Sequence, residues 1–530
     1  MRRLVAVLLV LVLAMSGLAV AQEPRAGGTL VMASQSEPDL WDPQRVTSAL
    51  AFQMQKLMYD SLLILDFDVA TIQPHIATDW TVSEDGLTYT FELRDDVSFH
   101  SGRSMSADDW VWTFDRLLNA SPPSPSAWRL GTVAAITAPS PTTLVIELEE
   151  PNSELLLQLT MPFLAVLDQE KVQALGDGYG IDGGGGTGPF RFVRWNPGQE
   201  LVLERNPDYT WGPAIHENTG PAHIERVVRR QIPELTTYLF ELELGNVDLA
   251  LGLPPTEIDR LDALRDVQVI EVAPRPSVEF LAFKTTRPIT SDERVRRALS
   301  YAIDRQELAD TVWFGQAFPP SGIVMPTTPG YSVDAETLWP FDDAERAREL
   351  LDEAGWVPGS DGIRVRDGER LVIELLIANS ALNQELSAFL QQMWRDVGVA
   401  TNIQIPELSA FWGISRTETY DVLFLNYGFS SAVDILGTYF SSANIPAPNR
   451  MMWDDPRTDE LLDLAIRAVD EDAKHAALRE VQEIVAQAGI YLPVVTVRSY
   501  LGASPEVRGL RAHGQYLLSL SKLLDTWMDE

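Results

Sequence analysis

Gly186-Thr187-Gly188-Pro189-Phe190, completed downstream by Arg205-Asn206-Pro207-Asp208-Tyr209, is the stretch from which the rest of the chain is read. Gly183 to Gly186 supply four consecutive glycines, a flexible crossover between segments. Gly188-Pro189 then fixes a bend, because proline holds its own φ and restricts the residue before it. A glycine run can cradle phosphate when Gly-Lys-Ser/Thr follows. Here Thr187-Gly188-Pro189 follows instead, which excludes the nucleotide reading.

Outward from this block, strand and helix patterns alternate. Thr88 to Arg94 places polar and apolar residues in turn, as a half-buried strand requires, and Leu144 to Leu148 does the same. Ser106 can cap a helix with Asp108 and Asp109 in its first turn and Val111, Phe114 and Leu118 on one face. Val295, Leu299, Ala302 and Ile303 recur at helical spacing. Asp343 to Ala354 carries an apolar stripe and ends at Gly355. Two more helices are predicted over Asp459–Ala468 and His475–Ala486, and Ser121 to Ser126, with three prolines, reads as a surface loop. The fold class is mixed α/β, without internal repeats.

The N-terminus predicts export. Arg2 and Arg3 precede an apolar run from Leu4 to Met15, and Ala19-Val20-Ala21 offers small residues to a signal peptidase, so cleavage is expected near Ala21/Gln22. A membrane anchor would need about 20 apolar residues, more than this run provides. A lipid anchor would need a cysteine, and the chain has none. Zero cysteines also exclude a disulfide framework, a thiol nucleophile and thiolate metal sites. The expected location is the periplasm. A chain of 530 residues can build large cores unaided. Its 76 acidic against 41 basic residues make nucleic acid and anionic membranes poor partners. Lysine occurs only at 56, 171, 284, 474 and 522; an acidic, lysine-poor surface fits saline surroundings or, for the arginine bias, a GC-rich genome.

Further blocks join the first. Gly27-Gly28-Thr29-Leu30, Asp42-Pro43, Tyr59-Asp60-Ser61-Leu62, Pro74 to Trp80, Asp85 to Phe91, Phe99-His100-Ser101-Gly102 and Ala107 to Trp110 come in order. Leu244-Gly245-Asn246-Val247-Asp248, Val295 to Ala298 and Ala302 to Arg305 follow. Together they resemble the family 5 extracellular solute-binding proteins, the oligopeptide, dipeptide and nickel-binding type, over almost the whole chain. Each block also has a bland reading: Asp85-Gly86 is turn chemistry, and His100 beside a glycine turn is read as a hydrogen-bonded structural histidine. The resemblance implies a periplasmic-binding-protein-like clamshell of the class II type, two lobes plus an additional small domain. It divides the chain into a signal peptide at 1–21, a first lobe from 27–65, 187–278 and 488–530, a small accessory domain at 66–186, and an opposing lobe at 279–487. It implies capture of peptides or peptide-like solutes by hinge closure and delivery to ABC transporter permease subunits. No cofactor is expected, and a monomer is.

Catalysis finds no support. There is no Gly-x-Ser-x-Gly elbow or His-Glu-x-x-His helix, and the six histidines are scattered. For ligand binding, the resemblance implies an acid late in the opposing lobe that pairs with a peptide amine, because a desolvated ammonium needs a carboxylate partner. The family commonly shows an aspartate, a short spacer, then Asp-Pro. Here Asn426 to Asp434 reads NYGFSSAVD, with Asp434 matching the second acid, Ile435 in place of proline, and Ser430 or Ser431 where the amine-binding acid is expected. Either Asp434 serves instead, or the ligand lacks a free amine, or Asp434 caps a turn. The other candidate ligand-binding residues are Tyr427, Phe429, Trp412, Arg416, Thr47, Ser48 and Ala49, the last three on a segment that resembles a ligand-contacting strand. Oligosaccharide and chelated metal are the alternative ligand classes; 14 tryptophans favour the former, and scattered histidines require the latter to bring its own chelator.

Overall fold

A computed structural model describes residues 23–272, 277–339, 342–515 and 519–529. The predicted signal peptide lies outside the described residues. Three principal sheets carry the chain. The first has seven strands in the order Gln268–Val272, Ser499–Ala503, Leu249–Leu251, Thr29–Ser34, Arg226–Gln231, Glu200–Arg205 and Phe190–Asn196. Thr29–Ser34 lies at its centre, parallel to both neighbours. The second has six strands: Ala317–Phe318, Tyr491–Val497, Ser277–Phe283, Val422–Gly428, Val372–Leu376 and Ala400–Gln404. The third is a four-stranded antiparallel sheet from Ala77–Val82, Thr88–Leu93, Thr143–Leu148 and Val133–Ser140.

The six-stranded sheet is covered on both faces. Along Ser277–Phe283, Phe280 and Ala282 join one buried cluster while Leu281 and Phe283 join another. Its strands therefore read as continuous apolar runs rather than alternations. The four-stranded sheet is buried on one face only: Tyr89, Phe91 and Leu93 point into a core shared with the seven-stranded sheet. The chain crosses between the two large sheets twice, after Val272 and at Arg498. Arg498 donates its backbone N–H to Gln316 O (2.9 Å) and pairs with Glu271 (2.8 Å).

The helix predicted after Ser106 begins there. Ser106 and Asp109 form a capping box ahead of Ala107–Leu118. The buried face of that helix is Trp110, Thr113, Phe114 and Leu117, one position round from the predicted stripe, and Leu118 is exposed. The larger tryptophan wins the core-facing position. Asp343 caps Ala344–Glu353, and Gly355 beyond its end takes a φ of +84°. The two late helices run Pro456–Arg467 and Glu471–Ala488, starting before the predicted Asp459 and His475 because Asp455 and Asp470 supply the caps.

The block Gly186 to Phe190 packs against the end of the helix Ala49–Met58. A Cβ on Gly188 would lie 2.5 Å from the Leu57 carbonyl oxygen, so only glycine fits. His100 donates its N–H to Gly186 O (2.9 Å), and its ring Nε2 bonds Gly188 O (2.9 Å). Asn206 N–H donates to Pro189 O (2.8 Å). Thr187 Oγ1 (3.0 Å) and Trp211 Nε1 (3.0 Å) both donate to Asp60, which also pairs with Lys522 and lies 3.5 Å from His75. Burial opposes ionisation of Asp60, but Lys522 and His75 outweigh it and hold the carboxyl down to about 2. The motifs that run through the sequence thus meet at one buried carboxylate.

Candidate ligand-binding cleft

The strand Val422–Gly428 leaves the six-stranded sheet and turns through Phe429, Ser430 and Ser431 into the helix Ala432–Phe440. Ser431 caps that helix, its Oγ accepting from Asp434 N–H (3.0 Å). Asp434, three positions in, folds back over the turn. Its Oδ1 accepts from the Tyr427 hydroxyl (2.9 Å), and its Oδ2 accepts from Ser430 N–H (2.8 Å) and Ser430 Oγ (2.9 Å). Burial, then the Asp434 charge, raises the Tyr427 phenol well above its ordinary value, so it stays a donor. Four of the sequence-predicted residues, Tyr427, Ser430, Ser431 and Asp434, are therefore brought together.

This turn faces the residues that flank Val133–Ser140 and Thr143–Leu148 across a cavity of about 360 Å³, to which Asp434, Thr438 and Asn444 contribute from one side and Trp128, Arg129 and Glu154 from the other. A second cavity of about 250 Å³ adjoins it, lined by Ser430, Ser431 and Lys474 on one side and Ile72, Leu157 and Glu154 on the other. Glu154 lines both. It is 7 % exposed, accepts a hydrogen bond from Ser431 Oγ and pairs with Lys474 Nζ at 3.1 Å. Asp434 forms no ion pair among the described residues, and the two cavities together are lined by four carboxylates, Glu150, Glu154, Asp434 and Glu471, and three cations, Arg129, Arg467 and Lys474.

The other predicted residues land elsewhere. Phe429 is buried in the core cluster that holds Phe280 and Tyr491. Trp412 and Arg416 are exposed and line neither cavity. The Trp412 ring instead carries the guanidinium of Arg450 at 5.2 Å, a buried cation that bonds Ser415 Oγ (3.0 Å). Thr47, Ser48 and Ala49 do not form a strand: Ser48 caps the helix Ala49–Met58, its Oγ accepting from Ala51 N–H at 3.2 Å. A serine ahead of the apolar run ALAFQMQKLM is a helix start, and that signal prevails over the strand expectation.

Sequence reading missed Glu154, Lys474 and Trp128. Lys474 was traceable as one of five lysines in an arginine-dominated chain. Trp128, 62 % exposed just after the proline-rich loop, is an aromatic with no burial to explain it. Glu154 carried no signal, being one acid among 76 Asp and Glu.

With this geometry in place, the comparisons with known proteins agree. The chain belongs to the bacterial extracellular solute-binding proteins, family 5, whose model ("family 5 Middle") matches residues 71–446. It is 28 % identical to di/tripeptide-binding protein 2 of Pseudomonas aeruginosa over 513 residues, covering 91 % of this chain and 92 % of that protein. Among solved structures, it is similar to the periplasmic binding protein DppA of Helicobacter pylori in complex with the peptide STSA, at 26 % identity and a TM-score of 0.76, covering 96 % of this chain and 99 % of that one. It is also similar to NikA of Brucella suis in complex with Fe(III)-EDTA, at 25 % identity and a TM-score of 0.83, covering 94 % and 100 %. These relatives share the two-lobed clamshell.

Proposed function

We propose that this protein captures peptides or peptide-like solutes between its lobes and presents them, by hinge closure, to an ABC permease. The observation that carries this reading is the polar turn of Tyr427, Ser430, Ser431 and Asp434, set over a cavity whose far wall brings Glu154 and Trp128. Four carboxylates against three cations, with Asp434 outside any ion pair among the described residues, favour a ligand with a positively charged group, as a peptide amine is. The di/tripeptide name of the Pseudomonas relative supports the same class. The lobes divide most naturally where the sheets do, with crossings after Val272 and at Arg498 and the small domain built on the four-stranded sheet. The protein acts by binding alone, as an exported periplasmic monomer cleaved near Ala21/Gln22; among the described residues no helix is long and apolar enough to cross a membrane. A metal chelate is the second reading, favoured by the likeness to NikA with Fe(III)-EDTA. Mass spectrometry of ligand released from purified protein, followed by calorimetric titration, tests both. A peptide of two to a few residues is expected, and a metal complex or a sugar would replace this reading.

A further inference from the structure

The lobes are covalently joined only where the chain crosses between the large sheets, after Val272 and at Arg498. Yet the small domain reaches the opposing lobe independently of that hinge. After the strand Thr143–Leu148, the segment from Glu150 to Glu154 bonds across to the two late helices and to the turn ahead of Ala432–Phe440. Ser153 N–H donates to Ile466 O (2.8 Å), and Ser153 Oγ donates to Ala465 O (2.9 Å). Glu154 takes the Lys474 ammonium (3.1 Å) and the Ser431 hydroxyl. Lys474 also reaches back to Ser153 O (3.4 Å). The neighbouring turn adds an apolar contact, since a Cβ on Gly86 would meet Val469 Cγ2 at 2.6 Å.

These contacts differ in burial, which decides their strength. Glu150 and Arg467 pair at 2.9 Å with side chains 54 % and 42 % exposed, so water and salt weaken that bond. Glu154 and Lys474 have side chains only 9 % and 12 % exposed. Together they are satisfied while docked, but either one alone would be a largely desolvated charge. Glu154 would keep only the Ser431 hydroxyl, and Lys474 no charge partner but the exposed Glu471 at 3.8 Å. Separating the domains returns both to water. Loss of one partner therefore favours the separated arrangement, and loss of both charges does not.

We propose that Ser153 and Glu154, docked on Ala465, Ile466, Lys474 and Ser431, form a latch between the small domain and the opposing lobe, and that its strength sets the balance between open and closed cleft before any ligand binds. Because a ligand that selects the closed arrangement is helped by any pre-existing closure, the latch scales affinity for all such ligands by a common factor.

The absence of cysteine makes the test direct. Asp108, on the small-domain helix Ala107–Leu118, and Glu385, on the opposing-lobe helix Ala381–Asp396, are both exposed. D108C/E385C can carry two spin labels, and pulsed dipolar spectroscopy on ligand-stripped full-length mature protein reads the distance between them. No ligand is needed, so the outcome is independent of the peptide reading. The parent is expected to show mainly one short distance. K474M should raise the longer-distance population at least about tenfold, because docked Glu154 then keeps the Ser431 hydroxyl but no charge partner, and adding E154Q to K474M should return it toward the parent. An unchanged distribution in K474M overturns the latch, as does a K474M/E154Q double variant as open as K474M. Raising sodium chloride to about 0.5 M should leave the parent distance in place, since a buried pair is poorly screened; opening by salt would assign the tether to Arg467 and Glu150 instead. Should K474M not fold, S153A removes one hydroxyl bond and should shift the distribution the same way by a smaller factor, and no shift there overturns the proposal.

Discussion

Asp434 shows how a residue can be legible while its work is not. Its position and charge stand out in the sequence, but the four donors that occupy its oxygens come from Tyr427 in the strand, Ser430 in the turn and, at 3.5 Å, Thr438 in the helix. No spacing rule announces such a closed set. With those lone pairs filled, the carboxylate holds the turn that shapes the cleft. D434N replaces one acceptor with a donor facing donors, so it is expected to lower unfolding stability by roughly 1–3 kcal/mol. Ligand affinity measured beside the melt should change less than tenfold; a thirtyfold loss of affinity with an unchanged melt would make Asp434 a direct ligand partner. Asp60 is the opposite case, an unremarked acid within a family block that proves to be a buried hub. D60N strands Lys522, which is 3 % exposed, without its charge partner, and breaking such a pair costs about 3–5 kcal/mol. The pH dependence has a definite sign. The Asp60 carboxyl is depressed from 3.8 to about 2, so its contribution is fully present above about pH 4 and is lost as pH falls through about 2. The stability gap between the parent and D60N should therefore narrow in acid melts below about pH 4, and a gap constant from pH 7 to pH 2 would rule out the charge as its cause.

At the scale of elements, glycine placement gives the sharpest expectation. Gly188 has no room for a Cβ against the Leu57 and Met58 backbone, and backbone cannot swing aside as a side chain can. Gly413 lies inside the helix Leu408–Ile414 with nothing within 4 Å of the added atom. G188A should destabilise by about 1–3 kcal/mol or more through overpacking, whereas G413A should be neutral or stabilise by up to about 1 kcal/mol through helix propensity. Thermal melts of the two variants decide it, and similar melts would refute the close-packing reading of the block. Much of this level was legible in advance. Alternation located Thr88–Leu93, the cap at Ser106 located Ala107–Leu118, and an apolar stripe closed by Gly355 located Ala344–Glu353. The strand placed at Thr47–Ala49 was misread because a resemblance was weighed above the cap signal of Ser48. The cleft was legible only on its C-terminal side, where Tyr427, Ser430, Ser431 and Asp434 fall within eight consecutive positions and local geometry unites them. Glu154 comes from 277 positions before Ser431, brought in by tertiary packing rather than by any local pattern.

For the whole molecule, charge is the property that extends beyond any one contact. The formal net charge of the 530-residue chain is −35, and folding confines that charge to a compact surface. Such self-repulsion destabilises the compact state more than the expanded one, where like charges lie farther apart. Salt acts in two opposing ways. It screens the repulsion, with a Debye length of about 10 Å at 0.1 M. It also weakens attractive surface pairs such as Arg457–Glu480 and Arg194–Glu200. Those pairs are exposed, and each is worth at most about 1 kcal/mol, often nothing measurable. The strongest pairs, Lys522–Asp60 and Lys474–Glu154, are buried and respond little. The long-range repulsion therefore dominates, and the melting temperature of the mature protein is expected to rise as sodium chloride goes from about 10 mM to about 500 mM, most steeply below about 100 mM where the Debye length changes fastest. Sucrose at matched osmolality, which strengthens burial without screening charge, should reproduce none of the steep low-salt rise. A flat or falling curve would mean that the acidic surface is already neutralised by local pairing, and the electrostatic account of this composition would have to be abandoned.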